Sequence, residues 1–110
     1  MKNLILILAT ALITNVAFGQ KKIETVKIQT SAVCDMCKER IEKQLAFTKG
    51  VTAADLDVKS AVVTVSYKTS KTDVEAIRTS INEIGYDADE SPAEEKAYEN
   101  LHHCCKKDEH

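Results

Sequence analysis

The sequence predicts an α+β domain of ferredoxin-like design: a βαββαβ sandwich with a four-stranded antiparallel sheet, two helices on one face, and a C-terminal helical appendage. Three observations predict it. The chain has 110 residues, enough for one domain. Between Gln20 and Glu90 its apolar residues switch several times between a period of two and a period near 3.6. Each of the two helical stretches in that span runs into a glycine, Gly50 or Gly85.

The elements follow in order. Residues 23–30 (IETVKIQT) set Val26 and Ile28 on one face against Thr25 and Lys27 on the other, the alternation of a strand. Ser31 to Asp35 is small and polar, a loop. From Met36 to Thr48, Cys37, Ile41 and Leu45 fall four apart, while Lys38, Glu39, Glu42 and Lys43 cover the other sides of an amphipathic helix. Lys49-Gly50 ends it with a basic last turn and a glycine cap. In residues 51–58, Ala54, Leu56 and Val58 alternate with Asp55 and Asp57. In residues 61–68, Val63, Val65 and Tyr67 share a face. The short turn near Lys59-Ser60 makes these two strands a hairpin.

The second helix carries Val74, Ile77, Ile81 and Ile84 at spacings of three and four, with Thr72 and Glu75 as a capping box and Gly85 as its stop. Tyr86 to Glu90 is expected to add the fourth strand. Ser91-Pro92-Ala93-Glu94 then opens a third helix, with Pro at its first position, a second capping box, and a narrow apolar stripe of Ala97, Tyr98 and Leu101. That helix leads to His102-His103-Cys104-Cys105 and a charged end. Residues 91–110 read as an appendage to a domain of residues 20–90 rather than as part of its core.

The chain opens on Met1-Lys2-Asn3, an almost unbroken apolar run from Leu4 to Ala11, further apolar residues to Phe18, and the small residues Ala17 and Gly19 ahead of Gln20. These are the parts of a secretory signal peptide over residues 1–19. The run is shorter than the roughly 20 residues of a membrane span, although an uncleaved anchor is the rival reading. The expectation is a periplasmic or secreted protein beginning at Gln20, with no stable membrane insertion after cleavage. Losing Lys2 takes the formal net charge from −2 to −3. The charges are mixed, with no basic stripe, which argues against nucleic acid as a partner.

All four cysteines follow that segment: Cys34 and Cys37 as Cys-x-x-Cys, Cys104 and Cys105 side by side next to His102 and His103. In an oxidising compartment an even count is compatible with disulfides. Staples of a small fold usually join distant segments, however, whereas these lie in two tight pairs. Cys34 falls in the loop after the first strand and Cys37 in the first turn of the first helix. The helix N-terminus favours thiolate over thiol, and the two-residue spacer puts both sulfurs within reach of one ion. Thiolates select Cu(I), Zn(II) and other thiophilic ions over hard cations. Two suffice for linear Cu(I), whereas structural zinc takes four ligands. The pair alone therefore favours Cu(I).

At these residues the chain resembles the heavy-metal-associated domain family, the copper-chaperone-like modules also found at the front of metal-pumping ATPases. The resemblance spans roughly Ile23 to Glu90 and rests on the Cys34-x-x-Cys37 pair between strand and helix, the Lys49-Gly50-Val51 step, and Gly85-Tyr86 after the second helix. It implies carriage of a soft metal ion by thiolate exchange without catalytic turnover, handed to a metal transporter or another metal-binding protein. It also implies that Tyr86 lies close to the metal loop. The family loop commonly reads Gly-Met-Thr/His-Cys-x-x-Cys, where this chain has Ser31-Ala32-Val33-Cys34-Asp35-Met36-Cys37. Ala32 replaces a buried Met, so the packing behind the loop must differ. Asp35 reads as a helix-start residue rather than a ligand, and Met36 as an exposed or packing side chain.

Two other readings use the same residues. A thiol–disulfide oxidoreductase would also use Cys34 and Cys37, but a thioredoxin-like core wants a different element order and a cis-proline, and the one proline is Pro92. A zinc- or mercury-binding protein of the same fold is the other. The tail residues His102, His103, Cys104 and Cys105 are a candidate second ligand set. If the third helix folds back, Cys104 or His103 completes a three- or four-ligand site with Cys34 and Cys37, which shifts preference toward Zn(II). The charged face of Lys38, Glu39, Arg40, Glu42 and Lys43 is expected to be solvated, beside the loop where a partner docks. No nucleophile–base pair, phosphate loop or pair of catalytic acids is present, so no enzyme activity is expected.

Overall fold

The computed structural model describes residues 22–106. The proposed signal segment and His110 lie outside them. Strand β1 (Ile23–Gln29) leads to helix α1 (Asp35–Ala46), a hairpin of β2 (Val51–Asp57) and β3 (Val62–Lys68), helix α2 (Val74–Asn82), a short helix α3 (Glu95–Glu99) and one 3-10 turn (His103–Cys105). The sheet is antiparallel with order β1-β3-β2. Val26 faces Val65 across one pair and Leu56 faces Val63 across the other.

The side-chain period of two decides which face is covered. Along β3, Val63, Val65 and Tyr67 are buried while Val62, Thr64, Ser66 and Lys68 are half-buried. Ile28 and Leu56 extend the buried face on the outer strands. Against it α1 packs Cys37, Ile41 and Leu45, and α2 packs Ile77 and Ile81, all inaccessible to solvent. The helices are also tied to each other: Ser80 and Thr48 share a hydroxyl hydrogen bond of 2.6 Å, and the Gln44 amide donates to the Ser80 carbonyl.

The expected strand over Tyr86–Glu90 does not form. Only Ala88 bridges, to Thr30 just past β1 on one side and to Ser91 on the other. The reason is a tight turn. Asp89 has φ of +53°, and Ala88 and Ser91 exchange both backbone hydrogen bonds across Asp89-Glu90. The chain therefore reverses after a single paired residue. The Asp89 carboxylate accepts from the Gln29 N–H at 2.9 Å and from Arg78 at 3.0 Å, which fixes the turn to β1 and α2.

Three further expectations are corrected. Asp73, not Thr72, caps α2, its carboxylate accepting from the Ala76 N–H at 2.8 Å. The third helix starts at Glu95, beyond Pro92, because Ser91 is engaged with the Asn82 side chain and the Ala93 N–H with the Asp87 carboxylate. The C-terminal segment is not peripheral to the core: Leu101 and Cys105 are buried within it. Gly85 explains the close approach. At φ of +100°, it leaves open a position where a Cβ would stand 2.8 Å from the Ala97 carbonyl oxygen and 3.0 Å from Leu101 Cγ.

Candidate metal centre

The loop between β1 and α1 is held by its own side chains. The Thr30 hydroxyl donates to the Ala61 carbonyl at 2.7 Å and accepts from the Ala32 N–H at 3.1 Å. The Ser31 hydroxyl accepts from the Asp87 N–H. Cys34 ends the loop as the N-cap of α1, in extended conformation. Its side chain makes no capping hydrogen bond of full geometry, but the Cys37 backbone N–H at the helix start lies close enough to favour its thiolate. Asp35 is the acidic residue of the first turn and is exposed, suited to the helix dipole. Met36 is 43% exposed.

Cys34 Sγ lies 3.3 Å from Cys37 Sγ and 3.8 Å from Cys105 Sγ, and none of the four cysteines is joined in a disulfide. The sulfurs of Cys34, Cys104 and Cys105 lie within 4.8 Å of one another. Cys37 and Cys105 are buried, while Cys34 and Cys104 are half-buried. Cys34 thus stands near the other three sulfurs, which come from the first turn of α1 and the 3-10 turn, and it forms a mutually close set with Cys104 and Cys105.

His102 and His103 are brought to the neighbourhood but remain exposed. Their rings stand 4.5 Å apart, and His102 Nδ1 accepts from the Cys104 N–H to cap the 3-10 turn.

Tyr86 is fully buried. Its hydroxyl is the one buried side-chain oxygen or nitrogen among the described residues that lacks full hydrogen-bond geometry, yet it is close enough to the Cys37 and Cys105 sulfurs to act on both. The thiols respond unequally. Burial raises Cys34 above its ordinary value, and it pushes Cys105 up to about 12, helped by neighbouring Cys37. Burial opposes ionisation of Cys37 too, but donation from Tyr86, the Val33 backbone and the other two thiols outweighs it and holds Cys37 below its ordinary value. Cys37 is therefore the first of the three to offer a thiolate, with an aromatic hydroxyl poised to steady the charge.

Lys38 and Glu42 were expected on a solvated face. Instead they lie half-buried and brace α1 against β2. The Lys38 ammonium reaches Glu42 at 2.7 Å, Asp55 at 3.3 Å and the Leu56 carbonyl at 2.8 Å, while Glu42 accepts from the Leu56 N–H. Glu39, Arg40 and Lys43 remain exposed.

An α+β sandwich with thiols converging at the start of its first helix defines a small metal-binding module. The chain belongs to the heavy-metal-associated domain family, whose model matches residues 22–87. It is 37% identical over 54 residues to the copper chaperone CopZ of Staphylococcus haemolyticus, covering 49% of this chain and 79% of that one. It is 44% identical over 55 residues to a copper-exporting P-type ATPase of Staphylococcus saprophyticus, covering 50% of this chain but only 7% of the ATPase. The CopZ metallochaperone structure superposes with a TM-score of 0.57 at 30% identity, over 59% of this chain and 98% of that one. The N-terminal domain of a potential copper-translocating P-type ATPase from Bacillus subtilis, solved in its Cu(I)-loaded state, gives 0.58 at 26% identity, over 62% of this chain and 86% of that domain.

Proposed function

We propose that this chain binds and carries Cu(I) through Cys34 and Cys37, as an exported protein in the periplasm or outside the cell, without catalytic turnover. The observation that carries the reading is the pair of free sulfurs 3.3 Å apart at the first turn of α1, in a chain of the heavy-metal-associated family. Soft, polarisable thiolates suit a monovalent d¹⁰ copper ion. The copper chaperone and copper-exporting ATPase among its relatives support copper over zinc or mercury as cargo. The same relatives support a copper transporter, or another metal-binding protein, as the partner that receives it by thiolate exchange. The apolar run and small-residue end of residues 1–19 support export.

Anaerobic titration of the reduced protein with Cu(I) and Zn(II) in competition tests this. One tightly held Cu(I) per chain, lost in the Cys34→Ser/Cys37→Ser variant, is the expected result. Binding of neither ion by the wild-type chain refutes it and leaves a thiol–disulfide function for the same cysteines.

A further inference from the structure

We infer that the C-terminal turn is part of the metal site: Cys105 and Cys104 join Cys34 and Cys37, so that one soft ion is held by three or four thiolates rather than two. The inference deepens the carrier reading and rests on it.

Sulfur spacing carries the argument. With metal–sulfur bonds of about 2.3 Å, two sulfurs on opposite sides of a linear ion stand about 4.6 Å apart, and two on the edge of a tetrahedron about 3.8 Å. Cys34 and Cys105 are 3.8 Å apart, and Cys34 and Cys37 closer still, at 3.3 Å. Cys104 lies with Cys34 and Cys105 in a set of sulfurs within 4.8 Å of one another, a set that does not include Cys37. The Cys34–Cys105 separation is therefore that of an edge of a trigonal or tetrahedral site, and Cys34 and Cys37 must separate to hold an ion linearly between them.

The second support is that the turn is delivered by packing that needs no metal. Asn82 donates to the carbonyls of Tyr86 and Ser91, and its own carbonyl accepts from the Glu94 N–H. Gly85 leaves room for Ala97 and Leu101, and Leu101 is 6% exposed. Every link holds the chain on course from α2 back to the loop, so Cys105 arrives preorganised and its ordering cost is met in the fold itself.

The tail then acts as a third and fourth hand on the ion. Each thiol that ligates gives its proton to solvent, and the ion keeps its oxidation state. Release requires the turn to withdraw before a partner's thiolate enters, which makes this chain a slower donor than a two-cysteine loop. The same ligand set accepts tetrahedral Zn(II), which a bare pair holds poorly.

X-ray absorption on the full chain, reduced and loaded with one Cu(I), reads the sulfur count directly. The expected count is three or more in the wild type and two in Cys104→Ser/Cys105→Ser, with Zn(II) affinity falling about 100-fold or more. Because Cys105 is buried, Leu101→Ala provides a second variant with every thiol intact, and its count should also fall toward two as the turn undocks. A count of two in the wild type, with one Cu(I) still bound, overturns the inference and leaves the carrier reading intact. Wild-type affinity in Cys34→Ser/Cys37→Ser also overturns it, because the tail would then be a separate site. Absence of any bound ion in the wild type sinks both.

Discussion

Gly85→Ala is the substitution that best tests how the backbone builds the site. The new Cβ meets two obstacles. Its own dihedral, φ of +100°, is one that an L-residue adopts only under strain, at about 1–2 kcal/mol. It also stands 2.8 Å from the Ala97 carbonyl oxygen and 3.0 Å from Leu101 Cγ. The first of these is backbone, which cannot swing aside as a flexible side chain would, so the α3 segment must move. Moving it exposes part of Leu101, worth about 1–2 kcal/mol of lost burial. The expected total is about 2–4 kcal/mol, which a domain of ordinary stability, about 5–15 kcal/mol, survives. Urea unfolding of the reduced, metal-free protein measures it. Cysteine labelling read by mass spectrometry adds the local signature: Cys105, 1% exposed in the native fold, should react about tenfold faster or more, since local opening becomes cheaper. A loss below about 1 kcal/mol with Cys105 still protected would refute the claim that this close approach seats the tail.

Two further outcomes follow from the same contacts. Asp73→Ala removes the α2 cap, the 2.8 Å bond to the Ala76 N–H, and should cost about 1 kcal/mol in urea unfolding, whereas Thr72→Ala should cost less than Asp73→Ala. The metal-free protein should lose stability in alkali, because Cys105 and Cys34 have folded-state values raised by burial above the ordinary 9.0. A group raised on folding contributes fully below its unfolded value and loses that contribution as pH climbs toward its folded one, here from about 9 toward about 12 for Cys105. Urea midpoints at pH 8 and pH 10.5 should differ in that direction, and Cys105→Ala should flatten the difference.

Much of the fold was legible because its signals are local. The alternation of Val63, Val65 and Tyr67 marks β3, and the four-residue spacing of Cys37, Ile41 and Leu45 marks the buried stripe of α1. Gly85 takes the positive φ that a helix stop calls for. Gly50, also at positive φ, does not cap α1: that helix ends at Ala46 with Phe47 as its C-cap, and Gly50 lies in the turn that follows, where the Val51 N–H donates to the Thr48 carbonyl. Where two cap candidates stood side by side, pattern alone chose wrongly: Thr72 and Asp73 are both good N-cap residues, and one residue of helix phase decided for Asp73. Lys38 and Glu42 misled for a related reason. Their charge reads as solvent exposure, but the edge of β2 approaches closely enough for the Leu56 backbone to bond both.

The sequence by itself determined the order of β1, α1, β2, β3 and α2 and the placing of Cys34 and Cys37 at a helix start, since periodicity and capping depend on residues within a turn or two of each other. Only the tertiary structure decided that Tyr86–Glu90 turns back instead of pairing as a strand, and that Cys105 meets Cys34 across 71 residues of chain. Both outcomes hang on the fit of one surface against another: Asp89 bonded between β1 and α2, and Leu101 against the space that Gly85 leaves open. Such a fit depends on the shape of two assembled surfaces, which no window of neighbouring residues contains.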